Sequence, residues 1–423
     1  MRTAFRRRSI MGATRIGAVA AVALASVGVL GTAQAAPASP AQSCSGPTVT
    51  KQFFGRAMDI YVHHLLPVYR FTLSNCTGMS VNILSYGGII QSIDVPAANG
   101  QKADVVLGFD TLKNYVAEDS PPVTVNGGPY FGETIGRYGN RIAKGTFHLD
   151  GHKYTLPINN GVNDLHGGLV GFGNHVWAAT EVKSPGEAGV QLSLVSPNGD
   201  DGANVGCSCT GFPGQLTVHV TFTLNDANQL ELHYQATTNA DTVINMTNHS
   251  YFNLAGESSG DVYGQKVYIN ANSYTPTDKT QIPTGQIAPV AGTPFDFTTP
   301  QTIGSRISDD NQQLLIAQGY DHNWVLNKTG PMLNGLRLAA QASDPASGRE
   351  LSVWTDQPGV QFYSGNFLTG TLVGISGHIY RQSAGYTFET QHFPNSPNQP
   401  SFPTTELKPG QVYATSTVFQ FSS

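Results

Sequence analysis

In the stretch Asn245-Met246-Thr247-Asn248-His249-Ser250-Tyr251-Phe252-Asn253-Leu254 a histidine sits among amides, hydroxyls and aromatic rings. If the stretch is extended, a period of two puts His249, Tyr251 and Asn253 on one face and Ser250, Phe252 and Leu254 on the other. A sheet would then bury the apolar face and hold the polar one open to a ligand. A satisfied core histidine is the plainer alternative. Glu389 lies in the aromatic, low-charge run Tyr386–His392, with Gln391 on its face. A carboxylate there is costly to bury unless it is hydrogen-bonded, paired with Arg137 or Arg141, or has a proton to exchange.

Those two arginines stand among small residues in Phe131–Ile142, where glycines allow close approach and a guanidinium offers its fork of donors to hydroxyl or carboxylate oxygens. No amphipathic helix follows, so the segment is a poor match to a phosphate-binding loop. His166, in Leu165-His166-Gly167-Gly168, has no covering side chain after it and either meets a ligand or caps the turn. Asp321 stands between aromatics where a strand begins, and Gln361 shares a face with Tyr363 in Val360–Asn366.

The elements that must position these residues read as sheet. Only 12% of residues are charged, while 47 Gly and 25 Pro make up about a sixth of the 423-residue chain, which suits short strands joined by turns. Strands are expected at Tyr69–Ser74, Ser80–Ser85, Ile89–Val95, Val176–Val182, Val190–Ser196, Leu216–Leu224, Leu230–Thr237, Val267–Ala271 and Leu351–Thr355. Val105–Phe109 is a further short apolar run, and Phe147–Leu156 predicts a hairpin turning at Asp150-Gly151. Ser308–Gln318 reads as a short helix, and Pro276–Pro294 as loop.

The first 35 residues read as a secretory leader. Arg2, Arg6, Arg7, Arg8 and Arg15 precede an apolar run from Ile16 to Leu30 and the small-residue site Ala33-Gln34-Ala35. The run is short for a membrane span, and its arginines suit either the twin-arginine or the general export route. An Ala/Pro/Ser-rich linker over 36–47 leads to one domain over 48–423. Cleavage leaves 18 basic against 28 acidic residues, a formal charge of −10, which disfavours nucleic acid and anionic lipid as partners. An exported chain permits disulfides, and Cys44–Cys76 would tie the mature N-terminus to the first strand region. For Cys207 and Cys209 a bridge to each other, two free thiols and cross pairing all stay open. A metal site needs more ligands than this pair supplies nearby.

Six blocks taken in order resemble the aldose 1-epimerase (galactose mutarotase) family: Gly136-Arg137 to Arg141, Leu165–Gly168, Asn248–Asn253, Tyr320-Asp321-His322, Pro358–Asn366 and Glu389-Thr390-Gln391. The resemblance implies an all-β fold, a large antiparallel β-sandwich with few short helices and an open sugar cleft. It implies His249 as general acid and Glu389 as general base, with Asn140, Arg141, His166, Tyr251, Asp321 and Gln361 holding sugar hydroxyls and orienting the pair. Such a pair interconverts anomers without metal or cofactor. Asp321 would favour a charged His249 if the two meet. The expected partner is a free aldose such as galactose or glucose, with no nucleic acid, no membrane after leader cleavage, and a monomeric chain. Hydrolysis of a glycoside and non-catalytic sugar binding are the alternatives, although hydrolysis ordinarily pairs two carboxylates. Glu133, Trp324 and Gln391–Asn395 depart from the family pattern. Glu133 would put a further carboxylate near Arg137 or the cleft, and Trp324 would alter sugar preference or surface packing.

Overall fold

Alternating apolar and polar side chains place every second residue of Leu216–Asn225 in the core, the pattern of a strand with one covered face. In the computed structural model, which describes residues 44–119 and 128–423, this strand belongs to a ten-stranded antiparallel sheet. The expected leader lies outside the described residues, as does most of the linker. Cys44–Ser423 forms one compact unit. A five-stranded sheet runs from Thr48 to Asp104, and a six-stranded sheet carries the chemistry-bearing residues. The two α-helices among the described residues are Leu112–Asp119 and Gln312–Ala317.

The expected strands are present with ends moved by a few residues, and the hairpin forms as Thr146–Leu149 and His152–Thr155 around Asp150-Gly151. Val105–Phe109 supplies only a bridge from Val106 to Phe252. An unexpected strand, Thr48–Asp59, pairs along its length with His64–Ser74. It is the edge of its sheet and mostly exposed, so it carries no apolar period to read. The cysteines pair as Cys44–Cys76 and Cys207–Cys209.

The order Tyr251–Phe252, Tyr386–Gln391, Gly359–Tyr363, Asp321–Leu326, Ala271–Thr275 and Ala288–Pro289 makes up the six-stranded sheet. Its register aligns Asn323 with Gln361 and Gln361 with Glu389; one row away, Asp321, Tyr363, Thr387 and Tyr251 align. The intervening residues Phe252, Trp324, Phe362, Tyr386 and Phe388 enter the main core. Phe252 reaches Phe419 of the ten-stranded sheet, ring centroids 5.1 Å apart. Each large buried aromatic contributes about 1.5–3 kcal/mol, so the apolar face fixes the sheet and leaves its other face free to carry polar groups. Trp324 is fully buried and donates to the Phe295 carbonyl, so it belongs neither to the cleft nor to the surface.

Candidate active site

The ten-residue histidine stretch is not one strand. It forms two short pieces, Thr247–Asn248 and Tyr251–Phe252, broken at His249-Ser250. The His249 N–H donates to the Glu133 carbonyl at 2.9 Å, and its own carbonyl accepts from Gly132 N at 3.1 Å. The Glu133 side chain packs over Gly173, so this carboxylate does not line the cleft. Asn253, expected to share the polar face, instead donates to the carbonyls of Gly260 and Ala384 and accepts from Gln265. It braces the turn after the strand.

His249, Tyr251 and Glu389 line one cleft of about 700 Å³ together with Asn140, Arg141, His166 and Asp321. Gln361 is not on its wall; its amide donates to Asp321 Oδ1 at 2.7 Å. Asn140 and His166 meet because Arg141–Ile142 pairs with Asp164–Leu165, and both adopt left-handed backbone, φ 59° and 54°. Non-glycine residues rarely do so, and such strain clusters where side chains must be aimed. Gly167 beside them is required, since a Cβ there would stand 2.2 Å from the Gly136 carbonyl oxygen.

His249 Nε2 lies 3.6 Å from Glu389 Oε1. Burial holds His249 neutral, its pKa lowered to about 3. Burial and then the Asp321 charge raise Glu389 to about 8, against a hydrogen bond of 2.9 Å from the Thr387 hydroxyl. Between those values the pair keeps a single proton, with macroscopic steps that belong to the pair. Among the described residues His249 Nδ1 and Glu389 Oε2 are buried without a hydrogen-bond partner, and such groups call for a ligand's hydrogen bonds.

Asp321 does not meet His249 as its hydrogen-bonded carboxylate. Its two oxygens accept from Gln281 Nε2, at 2.8 Å, and from Gln361. Arg141 donates to Gln281 Oε1 at 2.6 Å and to Asn160 Oδ1 at 3.1 Å. The run Arg141–Gln281–Asp321–Gln361 therefore fixes one wall, and among the described residues no arginine pairs with Glu389 by direct contact. Gln281 was not legible in the sequence, because it sits in a Pro/Gly loop with no pattern. Arg137 takes the structural role instead. Fully buried, it donates to Ser196, Thr242 and the carbonyls of Pro197, Pro213 and Gly214, with Asp200 at 4.0 Å.

His166, His249 and Glu389 also present ligand-type atoms within 4.8 Å of one another. The Asn140 N–H donates to His166 Nδ1 at 3.2 Å, so the neutral ring carries its hydrogen on Nε2. That leaves His166 a hydrogen-bond donor without a spare lone pair, and the set does not fit a metal. A donor imidazole, a guanidinium, two amides and a hydrogen-bonded carboxylate suit a ring of hydroxyls.

A family model for aldose 1-epimerase matches residues 69–420. The chain is similar to the galactose mutarotase of Sus scrofa, 43% identical over 344 residues, or 81% of this chain and 91% of that one. It is 36% identical to the aldose 1-epimerase of Escherichia coli strain K12 over 358 residues, 84% and 95% of the two. Among solved structures, an aldose epimerase homologue from C. elegans aligns with TM-score 0.70 and 30% identity over 82% of this chain and 96% of that one. Galactose 1-epimerase from Lactobacillus acidophilus NCFM aligns with TM-score 0.73 and 26% identity over 89% and 98%. Family match, relatives and fold agree across nearly all of the described chain, and on that ground the protein is a member of the aldose 1-epimerase family.

Proposed function

We propose that the cleft interconverts the α and β anomers of a free aldose, with Glu389 as general base and His249 as general acid. The observation that carries this reading is the buried His249–Glu389 pair, 3.6 Å apart and holding one proton between about pH 3 and 8. At rest the proton sits on Glu389, and the reactive tautomer is the one in which it has passed across the 3.6 Å gap to His249; from that ion pair Glu389 takes the proton of the C1 hydroxyl while His249 gives one to the ring oxygen. The C1–O5 bond breaks and an aldehyde forms. The pair then stands as neutral carboxylic acid and neutral imidazole, the state that burial favours. Rotation about C1–C2 presents the other face of the carbonyl, and closure returns both protons to their starting groups. No proton is gained or lost over the cycle. Positioned proton transfer of this kind contributes about 10²–10⁴-fold.

His166, Asn140, Arg141 and Asp321 hold the remaining hydroxyls, while Gln361 and Gln281 fix the Asp321 carboxylate. Glycoside hydrolysis is not favoured, since the group across from Glu389 is an imidazole rather than a second carboxyl. Exchange between the anomeric proton signals of D-galactose and of D-glucose tests the reading by NMR. Enzyme-dependent exchange supports it; no exchange, or release of phenol from an aryl galactoside, contradicts it.

We propose further that the protein is exported. The arginine-led apolar run before Ala33-Gln34-Ala35 supports this, and so does the pairing of all four cysteines. Among the described residues no helix is long and apolar enough to cross a membrane. Mass spectrometry of protein from the medium reads the mature N-terminus, and retention of the full-length chain in the cytoplasm contradicts export.

A further inference from the structure

The loop that aims His166 is held by two carboxyl groups that the reaction does not use. Asp164 stands two residues before His166, on the strand paired with Arg141–Ile142. Asp201 comes from the loop that follows the strand Glu187–Ser196. Its Oδ1 accepts the N–H groups of Leu169, at 3.1 Å, and of Val170, at 3.2 Å. Asn159 Nδ2 donates to the carbonyls of Leu165 and Gly168. The turn Leu165–Val170 is thus tied at both ends, with His166 inside it in its left-handed backbone. Gly168 lies flat against both carboxyls. A Cβ there would stand 1.3 Å from Asp201 Oδ2 and 3.0 Å from Asp164 Oδ2, so the two oxygens converge on one point.

Both side chains are buried, and among the described residues Asp164 Oδ1, Asp164 Oδ2 and Asp201 Oδ2 have no hydrogen-bond partner. The cations of the region are turned elsewhere. Arg137 faces Asp200, which also accepts from the hydroxyls of Tyr61 and Ser196, and Arg141 turns to Gln281 and Asn160. Two buried like charges set against each other are costly, and one of such a pair keeps its proton. A single proton between them makes two orphaned acceptors into one charge-assisted O–H···O hydrogen bond. The two N–H groups on Asp201 favour its charged form, so the proton rests on Asp164. Burial pushes both carboxyls well up, joined at Asp201 by the proximity of Asp164 and of Asp200.

We infer that Asp164 and Asp201 share one proton and that this carboxyl pair is the positioning element for His166, the donor that the cleft offers to a sugar hydroxyl. With the proton in place the pair closes under Gly168 and holds the turn. Without that bond Asp201 is a buried anion beside Asp200 with no donor on Oδ2; it draws away, Leu169 and Val170 lose their acceptor, and the imidazole leaves its place beside Asn140. Neither carboxyl lines the cleft, so the effect falls on binding and not on the proton transfers at His249 and Glu389. The role given to His166 rests on the mutarotase reading above; the shared proton does not.

Infrared spectra of mature protein with isotope-labelled aspartate carboxyls, taken at neutral pH, read protonated aspartates apart from Glu389. Asp164→Asn is expected to remove one protonated-acid C=O band from the wild-type spectrum, and a spectrum that keeps every such band overturns the shared proton. Anomer exchange of D-galactose by NMR then gives KM and kcat for the wild type, Asp164→Ala and Asp164→Asn. Asp164→Ala is expected to raise KM about tenfold with kcat held. Asp164→Asn, whose amide donates to Asp201 without a titrating proton, is expected to restore the wild-type KM. If Asp164→Ala does not fold, Asp164→Ser replaces it with the same expectation. A KM unmoved by the truncation, or raised equally in Asp164→Asn, overturns the positioning role. Absence of exchange in the wild type overturns the mutarotase reading and the role of His166 with it, while the infrared bands still decide the shared proton.

Discussion

Replacing Thr387 with valine keeps the shape of a buried side chain and removes one hydrogen bond. The Thr387 hydroxyl donates to Glu389 Oε1 at 2.9 Å and favours the ionised carboxylate, whereas burial and Asp321 oppose it and leave Glu389 at about 8. A hydrogen bond to a charged group contributes about 1.5–3 kcal/mol, and one pKa unit corresponds to about 1.36 kcal/mol. Losing the bond therefore raises Glu389 by about 1–2 units. The effect on rate follows from the proton count. The pair works with one proton; above the Glu389 pKa it holds none, and His249 has nothing to give. The alkaline limb of kcat/KM reports that loss in the free enzyme. A higher pKa keeps the proton longer, so the limb moves from near pH 8 to roughly 9–10. Initial polarimetric rates, corrected at each pH for the uncatalysed drift, read the limb. A limb that stays at about 8 or moves down, in a folded Thr387→Val protein, refutes its assignment to Glu389.

Asp321→Asn acts in the opposite direction. The Asp321 charge raises Glu389, so its removal lets the proton leave at lower pH and activity falls most at the alkaline end; an unchanged limb in the same polarimetric assay removes that coupling. Glu389→Gln is expected to raise stability as it abolishes activity. The folded pKa of Glu389, about 8, exceeds the ordinary 4.5, so wild-type stability is lost as pH rises from about 4.5 to 8. A group that cannot titrate escapes that loss, on the order of a few kcal/mol. Thermal melts at pH 5 and pH 8 should show the gap opening, and a gap independent of pH contradicts the shift. Arg137→Met removes the buried charge facing Asp200, which keeps the hydroxyls of Tyr61 and Ser196, and takes a donor from the carbonyls of Pro197, Pro213 and Gly214; it should lower the unfolding free energy by roughly 3–5 kcal/mol. Urea denaturation reads this, and a loss under about 1 kcal/mol would show that the buried arginine is dispensable.

What the sequence made legible was whatever is periodic or local. Strands such as Leu216–Asn225 and Gln229–Thr238 alternate so regularly that burial follows the letters, and Asp150-Gly151 marks its own turn. His249, Glu389, His166, Arg141 and Asp321 stand out as polar residues in apolar or glycine-rich settings, the family resemblance adds Asn140, and the cleft brings the six together. Tertiary placement was not legible. Gln281 joins Arg141 to Asp321 from a loop far away in sequence. The period that placed Asn253 beside His249 fails because the chain breaks at His249-Ser250. The carboxylate that faces His249 is Glu389, 3.6 Å away, while both Asp321 oxygens accept from glutamine amides. Trp324 looks like a candidate for specificity, yet it alternates to the core side of its strand.

The central claim is that His249 and Glu389 together move the protons that open and close an aldose ring. Polarimetry on freshly dissolved α-D-galactose tests it most directly, comparing the mature protein with His249→Asn and Glu389→Gln against the uncatalysed drift. The account predicts a faster approach to the same final rotation, lost by on the order of 10²-fold or more in each variant. Drift no faster than the blank with the wild type, or a full rate in either variant, would contradict it.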